Sequence, residues 1–383
     1  MAEEPTGAYR TETIFLLSLV VLTILFLVTG FAAQMYHAKE KALGEEWNLR
    51  GSTDLKDGQP EKAIVDFRTA LVYYRENDAC ELSLAKALLA AKHVEEARAH
   101  LTRLWERHPE SGEVNLELGR LATQNADIDQ ALRYFHNSIY GNWEQGDAPE
   151  QRRKARLELY QFLTSKGANM QAQGELMALA AELPPDSQLH IQVGSMFLTA
   201  KDYTQAEKQF LQALQLSRNE KNALEGAGEV EFESGDYWDA QVHLERAIRQ
   251  DPHNTQVAGM LDTTRLVLSI DPSQSGLSAR EQNSRITRAF KQALTRLQQC
   301  AEIKGERLDD SRPLTPLRDA YDRGADIKSM VQEKLLNRDP ETVTTVLAWV
   351  TEAENLAATT CGAPTGLDEA IILALRKHEG NPK

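Results

Sequence analysis

The sequence holds few residues able to carry chemistry or to staple a fold. Only three of its 383 residues are cysteine, too few for a disulfide scaffold or a four-cysteine zinc site. No phosphate loop, HExxH helix, CxxC pair or strand-flanked GxGxxG is present, so the chemistries those spacings support have no candidate residues. The nine histidines are scattered, and His93 with His100 or His108 lacks a zinc-like partner set. Aromatics make up 7% and prolines number thirteen, which excludes both an aromatic-rich β protein and a proline-rich disordered chain. Basic charge is also scarce. Lys and Arg number 43 against 57 Asp and Glu, a net of -14, which repels polyanions and argues against nucleic acid as a partner. Long apolar runs are missing too, with one exception.

From Ile14 to Ala33 the chain reads IFLLSLVVLTILFLVTGFAA, twenty residues without a charge. At about 1.5 Å per residue they span roughly 30 Å as a helix, the thickness of a bilayer's hydrocarbon core. The alternative is a cleaved signal peptide ending near Gly30 to Ala32, but the run exceeds the usual length and only Arg10 supplies a basic n-region. The reading is a short tail over 1–13, one membrane span over 14–33 and a juxtamembrane segment over 34–43. Arg10 before the run and Lys39, Lys41 and Arg50 after it nearly balance the positive-inside rule. A short tail ahead of a single anchor, with a cysteine pair in the C-terminal region, favours export of the bulk of the chain. The expectation is a single-pass protein of a bacterial-type inner membrane with its body in the periplasm. The cytoplasmic orientation stays open.

Beyond residue 44 a pattern recurs. Gly51, Ala63, Phe67 and Ala70 are followed by Ala85, Ala97, Leu101 and Leu104, and then by Gly119, Ala131, Phe135 and Ser138. The same offsets return at Tyr160, Ala172, Leu176 and Leu179, at Gly194, Ala206, Phe210 and Ala213, and at Gly228, Ala240, Leu244 and Ala247. The middle alanines step by 34, 34, 41, 34 and 34 residues, a period that marks stacked supersecondary units. Each unit reads as two antiparallel helices: a small residue on the first allows close approach, and the bulky residue fills the groove between one pair and the next. The longer step puts seven extra residues in a polar loop near Trp143 to Glu150, and the fourth unit, with Tyr160 in the small-residue place, is expected to be splayed or rotated.

These offsets resemble the tetratricopeptide repeat, which favours Trp, Leu, Gly, Tyr, Ala, Phe, Ala and Pro at fixed places. Trp47, Gly51, Ala63, Phe67 and Ala70 match in the first unit, and Leu224, Gly228, Ala240, Leu244, Ala247 and Pro252 in the last. The resemblance implies an all-α solenoid of six repeats over 44–254, divided as 44–77, 78–111, 112–145, 153–186, 187–220 and 221–254. It also implies a protein or peptide partner on a concave wall of first helices. The residues expected there are Asn48, Lys86, Leu116, Arg120, Ile191, Leu198, Glu225, Glu229 and Phe232. The Lys and Asn grid with which related repeats clamp chaperone C-termini is absent, since Asn48, Ser52, Ser83, Glu113 and Glu117 occupy the corresponding places. Anchored repeat proteins of lipopolysaccharide assembly look similar in layout but end in a four-cysteine knuckle, for which this chain has only Cys300 and Cys361.

Past the repeats, 255–270 reads as a solvated capping helix, 271–278 as a linker and 279–383 as a separate helical module. Four helices are expected in the module. They carry Ile286, Phe290, Leu294 and Leu297; then, after Pro313, Leu317, Tyr321, Met330, Val331 and Leu335; then Val343, Val346, Leu347 and Val350 behind Asp339-Pro340; and last a helix opened by a capping box from Thr365 to Asp368. Cys300 and Cys361 are either a disulfide or two buried thiols. Trp47, Trp143 and Trp238 read as packing residues, Gly226-Ala-Gly228 as helix packing, and Glu229 with Glu233 as a solvated acidic face. No residue set supports catalysis, a cofactor or a metal. The function expected is a membrane-anchored, non-enzymatic adaptor in assembly or maintenance of a membrane or envelope complex. The alternatives are a permanent structural subunit of such a complex and, remotely, an enzyme with a site in the module.

Overall fold

The computed structural model describes residues 6–74, 76–144, 146–308, 315–331, 336 and 339–379. Seventeen helices lie among them, and no strand beyond an isolated bridge between Ser111 and Asn142. The chain divides into two compact units, Met1–Leu179 and Ala180–Lys383.

The first unit opens with a single unbroken helix, α1 (Thr6–Lys56). The juxtamembrane segment over 34–43 is helical and continuous with what precedes and follows it. The reason is compositional: Ala33, Ala38, Lys39, Glu40, Lys41, Ala42 and Leu43 include strong helix formers, with neither Gly nor Pro until Gly44. Gly44 is kept in the helix by packing, because a Cβ there would meet the Tyr74 ring at 2.9 Å. At the other end, Phe15, Leu22 and Phe26 are 70%, 64% and 77% exposed. No other described helix has the length and apolarity to cross a membrane.

Helical pairs follow. α1 pairs with α2 (Pro60–Tyr73), α3 (Asp78–Ala90) precedes α4 (Val94–Arg107), and α5 (Gly112–Gln124) precedes α6 (Ile128–Tyr140). α7 (Ala148–Ser165) and α8 (Asn169–Ala181) carry the fourth repeat. The small-to-large pattern is the packing itself. A Cβ on Gly51 would lie 3.0 Å from the Phe67 ring, and one on Gly119 3.0 Å from the Phe135 ring. The bulky residue thus seats on the small residue of its own repeat. The extra residues ahead of the fourth repeat lie partly in helix rather than in a loop. Asp147 caps α7 by accepting the Glu150 N–H, and Pro149 sits in its first turn. Trp143 packs as expected, with its ring against Gly112 and its indole N–H donated to the Ser138 carbonyl at 2.9 Å.

The second unit holds α9 (Ser187–Thr199), α10 (Tyr203–Leu216), α11 (Lys221–Ser234), α12 (Tyr237–Gln250) and α13 (Thr255–Ile270). The Phe210 ring lies between two glycines, 3.1 Å from a Cβ built on Gly194 and 2.3 Å from one on Gly226, so Gly226-Ala-Gly228 is helix packing. Trp238 departs from expectation: it is 60% exposed, while its neighbour Tyr237 takes the core position.

Then come α14 (Ala279–Lys304), α15 (Pro316–Ile327), α16 (Pro340–Cys361) and α17 (Leu367–Glu379). They do not form a core apart from the repeats. Tyr237, Val267 and Ile270 share one cluster with Phe290, Trp349, Val350 and Ile371. α13 is apolar on more than one face, so solvent does not satisfy it, and α17 packs on it in place of a conventional second helix. The expected linker begins inside this junction, since Asp271 and Pro272 are buried. α15 stops at Ile327, so Met330 and Val331 lie beyond it, while Pro313 and Leu335 fall outside the described residues. Cys300 and Cys361 are joined by a disulfide across α14 and α16, with Cα atoms 5.7 Å apart.

Candidate interaction surfaces

On the first unit's first helices the expected wall residues are mostly committed to the fold. Leu116 is 6% exposed inside a core cluster and offers nothing to a partner. Asn48 is half-buried, with its Oδ1 buried and unbonded. Lys86 and Arg120 belong to an ion-pair ladder linking α3, α5 and α7. Lys86 Nζ is 4.0 Å from Glu117 Oε1, and Arg120 donates to the same oxygen at 2.8 Å. Arg120 also grips Glu158 with two bonds, Nε to Oε2 at 2.8 Å and Nη2 to Oε1 at 2.6 Å. Glu117 is only 4% exposed, and burial pushes its carboxyl up against the opposing pull of Arg120 and Lys86. These cations compensate a buried charge rather than standing free for a ligand. The neighbouring repeat does the same with Glu81, which accepts from Arg103 at 3.0 Å and Arg107 at 2.5 Å and meets His100 at 2.9 Å. Burial raises the Glu81 carboxyl, but the bonds from His100 and Arg107 bring it below its ordinary range.

On the second unit, Ile191 is buried and Leu198 half-buried. Phe232 is packed edge-on against Tyr237 with ring centroids 5.8 Å apart. Glu225 accepts from Asn254 at 2.9 Å and lies 3.8 Å from Lys221. Glu229 has no cation beside it among the described residues, and burial, with the charges of Glu233 and Glu225, raises its carboxyl. Ser195, Leu198, Glu229 and Glu233 are therefore what this face shows to solvent. Among the described residues no group of three or more His, Cys, Asp or Glu could hold a metal.

Sequence reasoning missed these ion pairs because their members stand on different helices, Lys86 and Arg120 being 31 and 38 residues from Glu117 and Glu158 and Glu81 being 19 to 26 residues from its partners. The only available signal was a glutamate at a repeat's buried position, as at Glu81 and Glu117.

Models of the tetratricopeptide repeat match residues 54–111 and 194–255. The repeats are tetratricopeptide repeats. Solved structures similar to this TPR chain include PilF of Pseudomonas aeruginosa, at 13% identity over 57% of this chain and 97% of that one, TM-score 0.39. PilW, described as a widely conserved type IV pilus biogenesis factor, is 14% identical over 57% of this chain and 98% of its own, TM-score 0.38. YrrB, described as a TPR protein with an unusual peptide-binding site, is 16% identical over 50% and 95%, TM-score 0.37. No curated protein sequence matches the chain. TPR stacks are protein-interaction scaffolds, and that is the class of function the repeats establish.

Proposed function

We propose that this TPR protein is a membrane-anchored, non-catalytic adaptor that presents its repeats to a protein or peptide partner during assembly or maintenance of a membrane or envelope complex. The observation that carries the reading is the apolar half of α1. Its side chains from Phe15 onward are exposed, and the helix runs on unbroken into the first repeat. An all-round apolar surface of that length is costly in water and is satisfied by lipid. The Cys300–Cys361 bridge supports placing the body on an oxidising, periplasmic side. Anchoring also confines the adaptor and its membrane partners to one surface, which raises their effective concentration. The solvent-facing set Ser195, Leu198, Glu229 and Glu233 is where the second unit would receive a partner. Glu229, lacking a cation of its own, favours one that brings a basic side chain.

The test is fractionation of the full chain from its native membrane, combined with crosslinking and identification of the partner. Resistance to alkaline carbonate, with an intact N-terminus by mass spectrometry, is expected. Release by carbonate, or a mature chain starting after Ala32, would make the apolar run a signal peptide. A stoichiometric complex that survives detergent extraction would replace the adaptor reading with that of a permanent subunit.

A further inference from the structure

Several cations of the second unit are held by carboxylates. Lys221 lies 2.6 Å from Asp251, Arg265 3.0 Å from Glu245, Arg296 2.9 Å from Asp368 and Arg323 2.5 Å from Glu352. On α14 the arrangement changes. Arg285 turns toward the repeats, donating to the Leu268 and Asp271 carbonyls at 2.8 and 2.9 Å. Arg280, Arg288 and Lys291, all exposed, have no carboxylate within ion-pair distance among the described residues.

These three share one face. Residues 280, 284, 288, 291 and 295 recur at helical spacing and fall within a stripe about 100° wide, opposite the buried Ile286, Phe290 and Leu297. The stripe forms the floor of an open groove of about 540 Å³, polar along its length with Ser284 and Thr295 and closed on one side by Leu367 at the start of α17. Fifteen helical steps make it roughly 22 Å long.

The local placement is unfavourable to the fold. Arg280 sits in the first turn of α14, where the helix dipole disfavours a cation. Arg288 and Lys291, three residues apart on an exposed face, repel each other. Two acidic groups at the margin of the groove are engaged elsewhere: Glu281 lies 3.8 Å from Arg285, and Asp368 takes bonds from Gln292 and Arg296. In a chain of net charge -14, three cations gathered along one groove against local preference form the kind of breach that clusters at functional positions.

We infer that the α14 groove docks an acidic segment, rich in Asp and Glu, of a partner protein. The site is separate from the repeat face and does not depend on which repeat residues bind. Its length suits about four turns of helix or about seven extended residues, and its cations meet carboxylates as paired hydrogen-bonding groups.

The test uses the full chain in neutral-lipid nanodiscs and a fluorescein-labelled peptide of about fifteen residues alternating Glu and Asp with Ala, followed by anisotropy at low and high salt. Saturable binding is expected, weakening as salt rises. The combined variant Arg280→Glu, Arg288→Glu and Lys291→Glu should lose about tenfold or more in affinity, with an unchanged circular dichroism spectrum. Lys62→Glu, in the first unit, should bind like the parent. Absence of saturable binding, or equal binding by the triple variant, overturns the inference. So does loss of peptide binding when the nanodiscs contain phosphatidylglycerol, which would assign the stripe to lipid headgroups.

Discussion

Removing the Arg120 guanidinium tests whether the first unit is held by its polar ladder. In Arg120→Ala, Glu158 loses both bonds and Glu117 loses its 2.8 Å partner. Only Lys86, at 4.0 Å, then faces the Glu117 carboxylate. Taking one partner from a fully buried pair costs about 3–5 kcal/mol. Arg120 and Glu158 are 42% and 33% exposed in their side chains, and a surface pair contributes only ~0.2–1 kcal/mol. The discounted figure for the site is therefore ~2–3 kcal/mol, carried mostly by Glu117. That corresponds to amide exchange faster by about 30- to 150-fold in α3, α5 and α7, while α14 and α16 keep their protection. Hydrogen exchange read by mass spectrometry on the full chain in detergent resolves the units separately, which a global melting curve would not. The penalty should also depend on pH. Without Arg120 the Glu117 pKa in the folded chain rises further above its unfolded value, so stability falls as pH climbs past the ordinary carboxylate range. As pH falls back into that range the buried carboxyl takes up a proton and the loss shrinks. Protection in α5 and α7 within threefold of the parent at pH 7.5 would refute the view that the ladder is structural, and would return Lys86 and Arg120 to the partner-binding face.

Three further outcomes follow from other sites. Glu354 is fully buried and is pushed up to about 8 by burial and by the charge of Asp368, against Arg296, whose guanidinium is shared with Asp368 and the Gly362 carbonyl. Because its folded pKa exceeds the unfolded value, it removes stability as pH rises from the ordinary carboxylate range towards 8, by about 1 kcal/mol per pH unit. Glu354→Gln should flatten that dependence, read as melting temperature against pH; an unchanged slope would place the effect elsewhere. Gly324→Ala drives a Cβ to within 2.3 Å of the Trp349 ring and should cost about 1–3 kcal/mol by overpacking. Gly259→Ala, which meets nothing within 4 Å, should be neutral or stabilising by up to about 1 kcal/mol; equal effects in denaturant melts would contradict the packing described for α15 and α16. Cys80 is buried, with its thiol pushed up to about 12 by burial and the charge of Glu81. The native chain should therefore be inert to a thiol reagent that reacts with one cysteine on denaturation and three after reduction. Rapid native labelling would be incompatible with this environment.

The repeats could be read in the sequence because their signature is the contact itself. Gly51 and Phe67, or Gly194 and Phe210, lie on neighbouring helices of one repeat, so a fixed offset records a distance of about one ring thickness. What could not be read depends on pairing between distant elements. Nothing in the residues of α13 announces that α17, beyond three intervening helices, will cover it. Lys86 and Arg120 project from the expected positions, yet whether such a cation faces solvent or a buried glutamate is decided by the adjoining repeat. Apolar periodicity likewise places Leu116 and Ile191 on the first helices without saying that neighbouring helices bury them. The conformation of the 34–43 stretch follows from its residues alone, since the intrinsic preferences of Ala, Lys, Glu and Leu carry the helix through it.

That continuity makes α1 act as a screw. For the anchored chain proposed here, no loop between Ala33 and Gly44 lets the first repeat swivel, so its facing towards the bilayer is set by helical phase. One residue inserted at Ala38 would turn the repeat by about 100° and raise it by about 1.5 Å, while eleven residues, close to three whole turns, would lift it about 16 Å and nearly restore its facing. A partner bound to the same membrane would meet a different surface of the repeats after the first change, and the same surface at a new height after the second.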